Sequence, residues 1–193
     1  MRPFVLSRQL RLALTLCVCV LLLGSVRCST TPHKADQPAF ISESKAARQW
    51  FEDRTPGLRQ QINNSAGYVV FPNVGQWGII FTGGKFGRGM VCDNHDMQIG
   101  WGAINTGSLG LQAGVQGFKM LVVFQDAATL DAFKKNQLSG SANAVAVVAE
   151  KGGSLPVNFD HGVALYQGAN AGLMAGVNVA LDYMRYKPLD QAD

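Results

Sequence analysis

The chain has 193 residues, 22 of them glycine, with 17 Lys+Arg against 13 Asp+Glu and four cysteines. That length holds one domain with a real core. Four of the basic residues (Arg2, Arg8, Arg11, Arg27) and no acid precede Ser29, so the remainder is balanced at 13 against 13. The basic excess therefore gives no sign of a nucleic-acid partner, which needs a basic face on the folded part.

Arg2, Arg8 and Arg11 stand before an apolar run over 12–23. Basic then hydrophobic is the order of a secretory signal peptide, and the run falls short of the roughly 20 residues of a spanning helix. Val26-Arg27-Cys28 before Ser29 offers a cleavage site, or Cys28 serves as the lipid-accepting cysteine of a bacterial lipoprotein. Either product is exported, and is periplasmic or lipid-anchored. Cys17 and Cys19 leave with the signal and Cys28 leaves or is modified, so Cys92 stands alone, with no disulfide framework and no paired-cysteine zinc motif. The chain then divides into a signal over 1–28, a linker over 29–39, a domain over 40–187 and a polar tail over 188–193.

The first helix is expected over 42–54 with Ser42 as N-cap. Ala47, Trp50, Phe51 and Arg54 share one side; Lys45, Arg48, Glu52 and Asp53 decorate the rest. This pattern fits a core-facing amphipathic helix, and it fits a membrane-interface helix using Trp50 and Phe51 with Lys45 and Arg48. Thr55-Pro56 opens a short second helix, with proline at its first position and Leu58 and Ile62 inward. Strands are expected over 68–71, 77–82, 86–91, 97–104, 109–117 and 120–125. They are separated by turn residues at Pro72-Asn73, Gly83-Gly84-Lys85, Asp93-Asn94-His95 and Asn105-Thr106-Gly107. Asp126 caps a helix to about Asn136. Residues 142–149 read as a buried strand, and 162–167 and 173–184 as the last two. Glycine weakens a strand unless it serves a bend or close approach, so this density predicts curvature. The expected fold is α+β: a strongly bent, Gly-rich antiparallel sheet, a partly closed barrel, with a few short covering helices.

Cys92-Asp93-Asn94-His95-Asp96 is the densest set of potential ligands. In one tight turn neighbouring side chains diverge, and an Asx-rich hairpin accounts for them without metal. No nucleophile–base pair can be named, so no enzyme and no cofactor is expected. Gly83-Gly84-Lys85-Phe86-Gly87-Arg88-Gly89 lacks the Lys-Ser/Thr end of a phosphate-binding loop and opens no helix. As a curved hairpin it presents Lys85 and Arg88, which suit an anionic head group.

Several motifs in order resemble the SYLF-domain family: Ala66-Gly67-Tyr68-Val69-Val70-Phe71-Pro72, the Gly83–Gly89 run, Asn105-Thr106-Gly107 leading to 110–116, the helix from Asp126 to Phe133, and 172–177. The likeness covers 48–186. It implies a non-enzymatic domain that binds phospholipid at a membrane surface, touching it with a basic amphipathic N-terminal helix, here Lys45, Arg48, Trp50, Phe51 and Arg54. Two positions depart from the pattern. Gln76 stands where the family carries a lysine, which removes a cation, and Leu181 where it carries a glycine. Actin binding, known in eukaryotic members, does not transfer to an exported chain. Two rivals remain open on sequence: a small outer-membrane β-barrel, and a protein-binding envelope module using an open sheet edge.

Overall fold

The computed structural model describes residues 30–79, 82–109, 114–138, 143–146, 158–169, 172–173, 177–180 and 184–191. The expected signal, its cleavage site, Cys28 and Leu181 lie outside the described residues, as do parts of the strands expected over 77–82, 109–117, 142–149 and 173–184.

The described part of the expected linker, from Thr30, already carries structure. Thr31 and Pro32 are buried, a 3-10 turn spans Lys34–Asp36, and helix α1 runs Gln37–Glu52. α1 thus begins five residues before the expected Ser42 cap. Pro38 in its first turn explains the earlier start, because proline there costs no hydrogen bond. Ser44, Ala47 and Phe51, at spacings of three and four, form its buried stripe. Helix α2 (Leu58–Asn63) does not start at Pro56: Gly57, at φ 87° in the left-handed region, turns the chain first.

Four long strands replace the six short ones expected between 68 and 125: β1 (Gly67–Ile79), β2 (Thr82–Asp93), β3 (Gln98–Leu109) and β4 (Gly114–Phe124). Three of the four expected turns are strand. At Pro72-Asn73 the register slips against both β2 and β4. Proline cannot donate to the ladder, so the strand takes a bulge there and continues. The other two runs face each other across one ladder, with Gly84 opposite Gly107 and Lys85 opposite Thr106. Pairing satisfies these backbones better than two separate turns would. Asp93–Asp96 is a turn as expected, with Asp96 left-handed at φ 64°.

Helix α3 (Ala127–Lys134) is capped by Asp126, whose side chain accepts the Thr129 N–H. β5 (Asn143–Ala146) pairs with β8 (Val177–Ala180) in a separate small sheet. β6 (Val163–Ala169), β7 (Gly172–Leu173) and β9 (Met184–Pro188) join the main sheet, whose order is β7-β6-β4-β1-β2-β3-β9. The expected last strand is therefore divided among β7, β8 and β9, which take different partners, and the expected polar tail starts inside β9.

The fold is α+β, with a bent antiparallel sheet. The sheet ends at β7 and β9 and is not closed into a barrel, which corrects that part of the expectation. Its alternating side chains feed two cores. Tyr68, Val70, Met90, Cys92, Leu121 and Val123 pack under α1 and α2; Val69, Phe71, Val91, Met120, Val122 and Phe124 pack under α3. Helices lie on both faces, unlike the bare outer wall of a membrane barrel. No described helix is long and apolar enough to cross a membrane.

Candidate functional site

α1 lies across the sheet, with Phe40 against Trp101 of β3 at one end and Phe51 against Tyr166 of β6 at the other. Its two flanks differ in chemistry.

One flank is a polar latch. Arg48 pairs with Glu52 at 2.7 Å and Asp96 at 3.4 Å; Arg59 of α2 pairs with Asp96 at 2.9 Å and Glu52 at 3.5 Å. The Tyr68 hydroxyl donates to Asp96 Oδ1 at 2.9 Å. Partial burial pushes the Asp96 carboxyl up, but the bonds from Arg59 and Tyr68 and the charge of Arg48 outweigh it and hold it below its usual value. Burial pushes the Tyr68 hydroxyl strongly upward. This flank ties both helices to the β2–β3 turn. In that turn Asp93 Oδ1 accepts the N–H groups of His95 and Met97, both at 2.9 Å. The potential ligands of the sequence are thus engaged in turn and latch. Among the described residues no group of three or more His, Cys, Asp or Glu is placed to hold a metal. Cys92 is buried, and burial raises its thiol to about 11.

The other flank opens on a groove of about 660 Å³, lined by Glu43, Ala46, Ala47 and Trp50 of α1 and by residues of the β1 bulge and β4, including Asn73, Phe118 and Lys119. The groove exists because the sheet supplies little to fill it. Its floor includes Gly117, beside a bulge that carries the chain outward. Trp50 lies on another glycine: a Cβ on Gly168 would stand 2.3 Å from its ring atoms. Two cations converge on that indole, Arg54 Cζ at 4.2 Å from the ring centroid and Lys119 Nζ at 5.4 Å.

Beyond the groove no described helix lies on the same face of the sheet. Alternation from the buried Met90 and Cys92 puts Phe86 and Arg88 on this face. Arg88 pairs across the ladder with Asn73, a groove residue. Phe86 is 56% exposed and its ring covers the Cα of Gly75, whose Cβ would meet Phe86 Cζ at 2.5 Å.

The structure therefore divides the residues expected to touch lipid. Trp50, Arg54 and Arg88 gather at the groove and the sheet beyond it. Lys45 is exposed one turn ahead of Arg48. Three others are engaged elsewhere. Phe51 is 0% exposed in the core beneath α1 and has no surface to insert. Arg48 is held in the latch. Lys85 points to the opposite face, where its Nζ lies 5.7 Å from the Phe118 ring centroid and burial lowers its pKa. Sequence reasoning missed Lys119, 69 positions from Trp50, and the role of Phe86. The one available signal for Phe86 was a large apolar side chain inside a run of glycines.

No protein-family profile and no curated protein sequence matches this chain.

Proposed function

We propose that this chain is a non-enzymatic envelope protein that binds phospholipid at a membrane surface, as the resemblance to the SYLF-domain family implies. The contact is the end of the sheet that no described helix covers, rather than the whole first helix. The observation that carries the reading is Phe86, a half-exposed aromatic on a glycine seat, on the same face as Arg88 and beside a groove lined by Lys119 and by Trp50, over whose ring Arg54 lies. An amphipathic patch of this kind inserts its aromatic at the acyl boundary while cations meet phosphate. Burying one phenylalanine contributes about 1.5–3 kcal/mol. Each cation near an anionic surface contributes about 1 kcal/mol. The sum makes a reversible, salt-sensitive contact, in keeping with the balanced charge of the chain after residue 28.

Flotation with vesicles of phosphatidylglycerol and phosphatidylethanolamine tests this. The protein is expected to float at low salt and to do so less as salt rises. Phe86→Asp should remain with the soluble fraction while still folded at the assay temperature, which its melting curve checks. A parent protein that never floats removes the lipid reading.

The protein-binding rival finds less support. The N–H of Tyr186 on edge strand β9 already donates to Asn136 Oδ1 at 2.9 Å, so that edge is engaged by the end of α3.

A further inference from the structure

We infer that the groove between α1 and the β1–β4 ladder takes a single anionic phospholipid, one acyl chain along its floor and the phosphate at the Trp50 end. This rests on the phospholipid reading above and adds to surface contact a one-lipid site.

Three observations point to this occupant. First, the walls from Ala46, Ala47, Trp50 and Pro72 are apolar, and about 660 Å³ is within the roughly 300–1,000 Å³ of small-ligand sites. Second, the floor is shaped by backbone: it lies beside the β1 bulge and over Gly117, where the sheet raises no side chain. Third, the charges are sorted along its length. Lys119 and Arg54 meet at Trp50, while the carboxylate of Glu43 lies seven residues earlier, about 10 Å along the helix axis. An apolar chain ending in one anionic group matches that polarity in one direction only, with phosphate at the cationic end. A charge-assisted contact of phosphate with lysine and guanidinium is the strong polar term available there.

Dihexanoyl-phosphatidylglycerol, kept below its micellar concentration, separates this site from surface binding. Titration calorimetry and native mass spectrometry of the purified protein should show one lipid per chain. Gly117→Leu and Ala46→Phe each place a side chain in the groove. Ala46 is exposed, and among the described residues a Cβ on Gly117 meets nothing nearer than Asn73 Oδ1 at 3.4 Å, so both variants should keep the fold, which their melting temperatures check. Each should weaken monomer binding at least about tenfold. Both should still float with vesicles, whereas Phe86→Asp should lose flotation and keep monomer binding. Three results overturn the site: no monomer binding by a protein that floats, unchanged binding by both groove-filling variants, or equal binding of dihexanoyl-phosphatidylcholine. A parent protein that neither floats nor binds monomer overturns the site together with the reading beneath it.

Discussion

Phe51→Ala separates the two roles that the first helix can play. The ring is 0% exposed and sits among Leu58, Ile62, Tyr68, Val70 and Leu121, with the Trp50 ring edge-on at 5.0 Å and the Tyr166 ring at 6.5 Å. Truncation removes the transfer free energy of a phenyl group and leaves a cavity over a sheet that cannot follow it. Such changes cost about 3–5 kcal/mol. The floor here is a hydrogen-bonded ladder, so the upper half of that range applies. For a chain of this size each kcal/mol moves the melting temperature by about 2–4 °C, so the shift is roughly 8–20 °C. Circular dichroism melts measure it. Flotation run well below the new midpoint should match the parent protein. A variant that melts like the parent but fails to float would refute the reasoning, since Phe51 would then be a membrane contact and not a core residue.

Asp96→Asn isolates the charge of the latch. Asparagine tolerates the left-handed backbone at this position, so the turn survives the change. Arg48 and Arg59 keep Glu52, and the Arg59 side chain is about half exposed, so losing the carboxylate costs about 0.2–1 kcal/mol at pH 7. The sign with pH follows from the depressed pKa. The Asp96 contribution is complete above its ordinary value of 3.8 and is lost as pH falls through the lower folded value. Urea melts of parent and variant should therefore converge in acid, and a gap that stays constant below pH 3 would contradict the latch. Cys92, buried and with its thiol raised to about 11, should resist an aromatic disulfide reagent at pH 8 until denaturant is added. Rapid reaction of Cys92 in the native state would place it at the surface.

What the sequence revealed and what it hid follow from the range of the forces involved. The Asp126 cap is a local signal, and α3 followed from it. The faces of α1 were legible as spacing, but spacing does not say which apolar residue is covered. Trp50 and Phe51 read alike, and only the seat on Gly168 and the pocket under α1 set them apart. Turn chemistry misled at Gly83-Gly84-Lys85 and Asn105-Thr106-Gly107, where two weak strand formers found each other across a ladder. Proline at 72 signalled a break, and the break is a bulge, because strands on both sides hold β1 in place. The latch joins residues 48, 59, 68 and 96, and the groove joins 43–50 to 117–119. Such long-range juxtapositions have no local signature, so Arg48 was assigned to lipid and Lys119 was overlooked.

A spin label at position 86 tests the central claim most directly. Phe86→Cys, in a chain with Cys28→Ser, carries a nitroxide whose exposure to oxygen and to a water-soluble nickel chelate reports its depth in vesicles. The account predicts that on adding phosphatidylglycerol vesicles the label gains oxygen accessibility and loses nickel accessibility, while the same label at His95, in the turn on the latch side, remains aqueous. Labels at 86 and 95 that both remain aqueous, or that change alike, would contradict it.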